Sequence, residues 1–180
     1  MKRTMLIALL VAFAGSVQAQ KPTTSSKEKM APLLAWAGKW KGQGSMTMPN
    51  GETKTSSVDE TVHAKLDNTL IMLEGLGKSI DPTTQKEIIV HQALGIVSYD
   101  PYSNKYKLKT YLNDGKSGDA WFTVLGDNKY QWGYEIPNGK KTRYTIELNP
   151  EKKTWYEFGE DSKDGTTWNK FFEMNLTKVD

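Results

Sequence analysis

No cysteine occurs in the 180 residues of this chain. Disulfides, thiolate zinc sites and a cysteine nucleophile are therefore excluded. Arginine is almost missing as well, present only as Arg3 and Arg143, and histidine occurs only as His63 and His91. Neither sign of charge dominates. The formal net charge is +3, and without Lys2 and Arg3 the balance is 22 basic against 21 acidic side chains, or +1. A near-neutral chain lacks the clustered excess of Lys and Arg that phosphate neutralisation needs, so nucleic acid is not an expected partner. No G-x-S-x-G, H-E-x-x-H or phosphate-binding loop is present, so no familiar catalytic signature marks an enzyme.

Long hydrophobic runs are also scarce. The apolar stretch Met5 to Ala14 is too short to span a bilayer. Lys2-Arg3 precedes it and Val17-Gln18-Ala19 follows it, which is the layout of a secretory signal peptide over residues 1–19 with cleavage before Gln20. With no cysteine after the leader, a lipoprotein anchor is excluded. The mature chain is expected to be exported, periplasmic or secreted, with no membrane span. Residues 20–30, rich in Lys, Ser and Thr, read as a flexible segment or the start of a short helix. Residues 31–180 read as one domain.

What the domain does have is alternation. Leu33, Leu34 and Trp36 give a short helical turn that stops at Gly38. From there Trp40, Gly42, Gly44, Met46 and Met48 alternate with polar residues, a half-buried strand whose glycines leave space for a backbone crossing or a ligand. Nine further strands follow, separated by turn signals such as Pro49-Asn50-Gly51, Asp67-Asn68, Asp100-Pro101 and Asn113-Asp114-Gly115. In the clearest hairpin, Tyr130, Trp132, Tyr134 and Ile136 run into Pro137-Asn138-Gly139. A three-residue loop there places Trp132 opposite Tyr144, Tyr134 opposite Thr142 and Tyr130 opposite Ile146, aromatic against aromatic. Connections this short make hairpins, and ten twisted strands remove their edges by closing. The expected fold is all-β, an antiparallel up-and-down barrel of about ten strands with a short N-terminal helix.

A barrel of this size is either filled by its side chains or holds one small ligand. The expected inner face carries Trp40, Tyr130, Trp132, Tyr134, Tyr144, Tyr156, Phe158 and Phe172. Of these, Trp132, Tyr134, Tyr144, Tyr130, Tyr156 and Phe172 are candidate contacts for a small hydrophobic or amphipathic molecule, because their rings offer both apolar faces and polar handles. Glu60 alternates with Val58 and Val62, and a Glu held inside needs a partner or a raised pKa. His91 alternates with Ala93 and Gly95 and is the other candidate polar group. His63 lies on the polar face beside Asp59 and Lys65. Alternation alone does not separate a hollow barrel from a filled one. The other readings are therefore a structural or interaction barrel without ligand and an enzyme using Glu60 and His91.

Gly38-Lys39-Trp40, after a short apolar helix and before a ten-stranded meander, resembles the calycin superfamily of lipocalins, fatty-acid-binding proteins and nitrobindin-like haem barrels. Tyr99-Asp100-Pro101 with Lys105-Tyr106, and Asp164-Gly165-Thr166-Thr167-Trp168 with Phe172-Glu173-Met174, resemble an uncharacterised bacterial branch of exported lipocalin-like proteins. The resemblance implies that Trp36, Gly38 and Trp40 form a closed barrel end, with a basic residue of the last strand against Trp40, for which Lys170 is the candidate. The fatty-acid-binding grip of arginine and tyrosine is absent, since Arg143 is expected to face outward. The nitrobindin comparison raises haem, held in those barrels by a late histidine; no histidine follows His91 here, which leaves the late tyrosines or Met174 as the groups able in principle to ligate iron. No resident cofactor or metal is otherwise expected.

Overall fold

A computed structural model describes residues 25–136 and 139–180. The expected signal peptide lies outside these residues, as does the Pro137-Asn138 pair. Of the two readings of residues 20–30, the described part takes the start of a short helix. Helix α1 (Ser26–Met30) begins with a capping box in which the Ser25 hydroxyl accepts from the Glu28 N–H at 3.2 Å and the Glu28 carboxylate accepts from the Ser25 N–H at 3.1 Å. Two N-terminal donors are thereby satisfied, and Met30 at its end is fully buried. A 3-10 helix (Ala31–Trp36) follows directly. Gly38, at φ +134, then turns the chain into the first strand in a conformation that side chains rarely adopt.

Ten antiparallel strands follow: β1 (Gly38–Thr47), β2 (Thr53–Lys65), β3 (Leu70–Ile80), β4 (Glu87–Asp100), β5 (Lys105–Leu112), β6 (Ser117–Gly126), β7 (Lys129–Glu135), β8 (Lys141–Asn149), β9 (Thr154–Ser162) and β10 (Asn169–Lys178). Each pairs with its neighbour in sequence, and β1 also pairs with β10, which closes the barrel. The hairpin of β7 and β8 has the expected register, with Trp132 opposite Tyr144, Tyr134 opposite Thr142 and Tyr130 opposite Ile146. The Ile136 N–H donates to the Lys140 carbonyl and the Gly139 N–H to that of Ile136, both at 2.9 Å, with Gly139 at φ +84. Between β2 and β3, Asp67 and Asn68 both take positive φ, as a tight hairpin of this hand requires.

In β1, Gly42 admits the backbone of β10 and Gly44 the side chain of Val58. A Cβ on Gly42 would sit 2.0 Å from the Asn175 carbonyl of β10, and one on Gly44 would meet Val58 at 3.3 Å. In β10 a bulge at Phe171 separates the pairs Lys170–Glu160 and Phe172–Gly159. One extra residue reverses the face of everything before it. Simple alternation back from Leu176, Met174 and Phe172 puts Trp168 on their face; it lies instead outside the barrel, with the Arg143 guanidinium 3.9 Å from its ring centre.

The two helices plug one end. Trp36 packs against Tyr130, Trp155 and Phe122 with ring centres 4.8, 5.5 and 6.0 Å away. Three hydroxyls tie the plug to the wall: Tyr106 donates to the Lys29 carbonyl, Tyr130 to that of Pro32, and Ser26 to that of Tyr99. Trp40 donates its Nε1–H to the Trp36 carbonyl at 2.9 Å, and the Lys178 ammonium lies 5.3 Å from its ring centre. The basic residue over Trp40 is thus Lys178, not Lys170, which sits on the outer wall with Glu173 and Tyr156.

Candidate functional site

The inner face divides into two zones. Around the plug, Trp40, Val62, Ile71, Val97, Tyr130, Ile146 and Trp155 have no more than 2% of their surface exposed. Further along the same faces, Glu60, Leu73, Gly95, Thr110, Trp132, Tyr134, Tyr144 and Phe172 are only half-buried. The register keeps all of these on the inner face, further from the plug than the sealed set. Small residues on that wall make room for their neighbours: a Cβ on Gly118 would lie 3.0 Å from the Tyr134 ring, and one on Gly95 would meet Leu73 and Leu108 at 3.6 Å.

Trp132 and Tyr144 stack face to face, with centres 4.1 Å apart and planes at 11°. Tyr134 stands edge-on to Trp132 and shares a hydrogen bond with Thr110. Phe171 and Phe172 both meet Tyr144 edge-on at 5.8 and 5.9 Å, because the bulge turns two successive rings toward it. Gly159 carries the Tyr144 ring: a Cβ there would lie 2.7 Å from it.

Two carboxyls enter this aromatic zone. Glu157 is buried between Ile146 and Met174 on the neighbouring strands. Its two oxygens accept from Trp132 Nε1 at 3.1 Å and Trp155 Nε1 at 3.2 Å. Burial lifts its pKa from 4.5 to about 7, and the two indole N–H groups hold it back from rising further. Glu60 projects from β2 over Gly75, where a Cβ would come within 2.6 Å of its carboxylate. Burial, reinforced by the charge of Glu157, lifts the Glu60 carboxyl from 4.5 to about 8. Among the described residues no hydrogen-bond donor is paired with it.

The sequence-derived candidates therefore separate. Trp132, Tyr134, Tyr144, Phe172 and Glu60 share the half-buried zone. Tyr130 does not: it is fully buried against the plug, and desolvation raises its phenol pKa to about 12. Tyr156 does not either. It stands opposite Glu147 and Asn175 on the outer wall, stacked near Phe158 with Lys170 beside it. Trp155 and Glu157 take the inner positions that Tyr156 and Phe158 were expected to fill. His91 is on the inner face opposite Gly77, but at the exposed rim, where partial desolvation by its neighbours lowers its pKa. Among the described residues no hydrogen bond joins Glu60 to His91, so the acid–base pair required by the enzyme reading is not assembled. His63 faces outward, 3.8 Å from Glu74.

The one inward histidine stands at the rim rather than over the aromatic zone. Among the described residues no cluster of three or more His, Cys, Asp or Glu is placed to hold a metal ion, and no helix is long and apolar enough to cross a membrane. A groove of about 530 Å³ runs along the outer wall past Asp59, Thr61, Glu74 and Leu94. It includes neither carboxyl of the aromatic zone.

No family model matches the chain, and no curated protein matches it in sequence. Solved structures do. The crystal structure of Rv2717c from M. tuberculosis aligns with a TM-score of 0.57 at 10% identity, over 87% of this chain and 99% of that one. The S-type phycobiliprotein lyase CPES from Guillardia theta aligns with a TM-score of 0.55 at 10% identity, over 88% and 95%. What is shared is the fold. At that identity the likeness says nothing about residues of the site.

Proposed function

We propose that this chain is an exported binding protein of the calycin type that holds a small, mainly apolar molecule in the open half of its barrel. The observation that carries the reading is the contrast along one inner face: sealed around the plug, half-exposed around Trp132, Tyr134, Tyr144 and Phe172. Large rings with retained surface and a few convergent polar atoms are what a small-molecule pocket offers. The likeness to a phycobiliprotein lyase agrees with a small-molecule partner for this barrel. The leader-like N-terminus supports export to the periplasm or beyond.

The test is native mass spectrometry of the mature protein, purified from its exported compartment. The expected spectrum shows a chain beginning at Gln20 with an additional non-covalent mass, and Trp132→Ala loses that mass while remaining folded. A bare polypeptide in the wild-type sample counts against the reading. It would favour a filled scaffold presenting its loops, to which the sealed half of the barrel already conforms.

A further inference from the structure

Between the plug and the rim, the inner face carries acid and no base among the described residues. Glu60 and Glu157 come from β2 and β9, on either side of the β1–β10 seam, and lie close enough for the charge of one to act on the other. Glu157 has both oxygens engaged by indole N–H groups. Glu60 has neither engaged among the described residues, and Gly75 beneath it leaves the carboxyl lying on bare backbone. The basic side chains of the same face stand at the two ends. Lys178 covers Trp40 at the plug, Lys140 pairs with Asp161 at the rim at 2.8 Å, and Lys54 is opposite Met46 at the rim. His91 also faces in at the rim, and Tyr144 beside Glu157 is held neutral by burial. A half-buried carboxyl without a donor is open to one brought by a ligand, and the aromatic faces of the same zone attract positive charge. Among the described residues no third ligating side chain joins the two carboxyls to make a metal-holding group.

Resting on the ligand-barrel reading, we infer that the natural ligand is an amphipathic organic cation: a flat apolar body against the Trp132–Tyr144 stack and a protonated nitrogen, carrying at least one N–H, delivered to Glu60 beside Glu157. The nitrogen gives Glu60 the donor it lacks and leaves the indole bonds of Glu157 intact. Binding transfers a proton from Glu60 to solvent whenever the empty site holds it protonated.

The experiment is isothermal titration calorimetry of the mature chain with three probes of one shape: 1-naphthylmethylamine, 1-naphthalenemethanol and 1-naphthoate. At pH 8 the amine is expected to bind at least ten-fold more tightly than the alcohol, and the naphthoate more weakly than either. At pH 6 the advantage of the amine shrinks, and the heat varies with buffer as a proton is released. Glu60→Gln brings the amine down to the affinity of the alcohol. Equal affinities of amine and alcohol in the wild-type protein overturn the cation while leaving the apolar pocket standing. Tightest binding of naphthoate also overturns it, in favour of a protonated Glu60 that donates. Binding of none of the three removes the pocket itself, and the inference with it. The wild-type comparison does not depend on whether the Glu60 variant folds.

Discussion

The two inner carboxyls give the molecule a pH dependence whose sign follows from burial. Glu60 and Glu157 have folded pKa values of about 8 and about 7, against 4.5 when free. The folded state therefore favours their protonated forms. The stability they contribute is complete below about pH 4.5 and is lost as pH rises through 7 and 8. Ligand-free protein is expected to melt at progressively lower temperature from pH 5 to pH 9, and Glu60→Gln to flatten that decline. The gain at pH 9 is on the order of 2 kcal/mol, a discount on the roughly 1.4 kcal/mol per pKa unit that a rigid site would give. Calorimetric melts across the interval check this; parallel curves for the two proteins would mean that the Glu60 carboxyl is already paired or solvated. Glu60 was legible in the sequence because Val58 and Val62 flank it. Glu157 was not, because Trp155, Tyr156 and Phe158 offer apolar groups to both faces of β9. The parity was nonetheless present: Ile146 faces in, Leu148 pairs with Trp155 across a four-residue turn, and Glu157 follows on the same side as Trp155.

Among elements, strand number, order and most turns were legible, since alternation and turn residues agree along β1 to β8. The register of β7 and β8 followed from one loop length and one aromatic pattern. The failure came in β10, where a bulge has no composition of its own and Asn169 to Met174 alternates badly with or without it. Its effect on the site is direct. Phe171 and Phe172 both reach Tyr144, while Trp168 covers Arg143, which in turn donates to Glu160 at 2.7 Å on the outer wall. Deleting Phe171 is expected to leave pairing from Phe172 to Thr177 intact, pull Trp168 away from Arg143 and cost about 1–3 kcal/mol. Chemical denaturation and cross-strand NMR contacts between β9 and β10 would report both effects. An unchanged midpoint would mean that neither the second ring nor the outer stack matters to stability.

For the molecule as a whole, the plug and the seam act as one device. Trp36 meets rings from β6, β7 and β9, and its carbonyl is held by Trp40 on β1. Truncating it, Trp36→Ala, is expected to cost about 3–5 kcal/mol, read as a shift of the denaturation midpoint with the cooperative transition retained. A midpoint that hardly moves would show the barrel closing without its plug. The seam has a further consequence, one of timing. Strand β1 waits for β10, its second neighbour, which is almost the last segment of the chain to be made. At ordinary rates of synthesis that wait is on the order of ten seconds. Until it ends, neither Trp40 nor the plug before it has its full set of partners. A chain addressed for export by its first residues would therefore arrive at the membrane still threadable, held open by the order in which its strands are born.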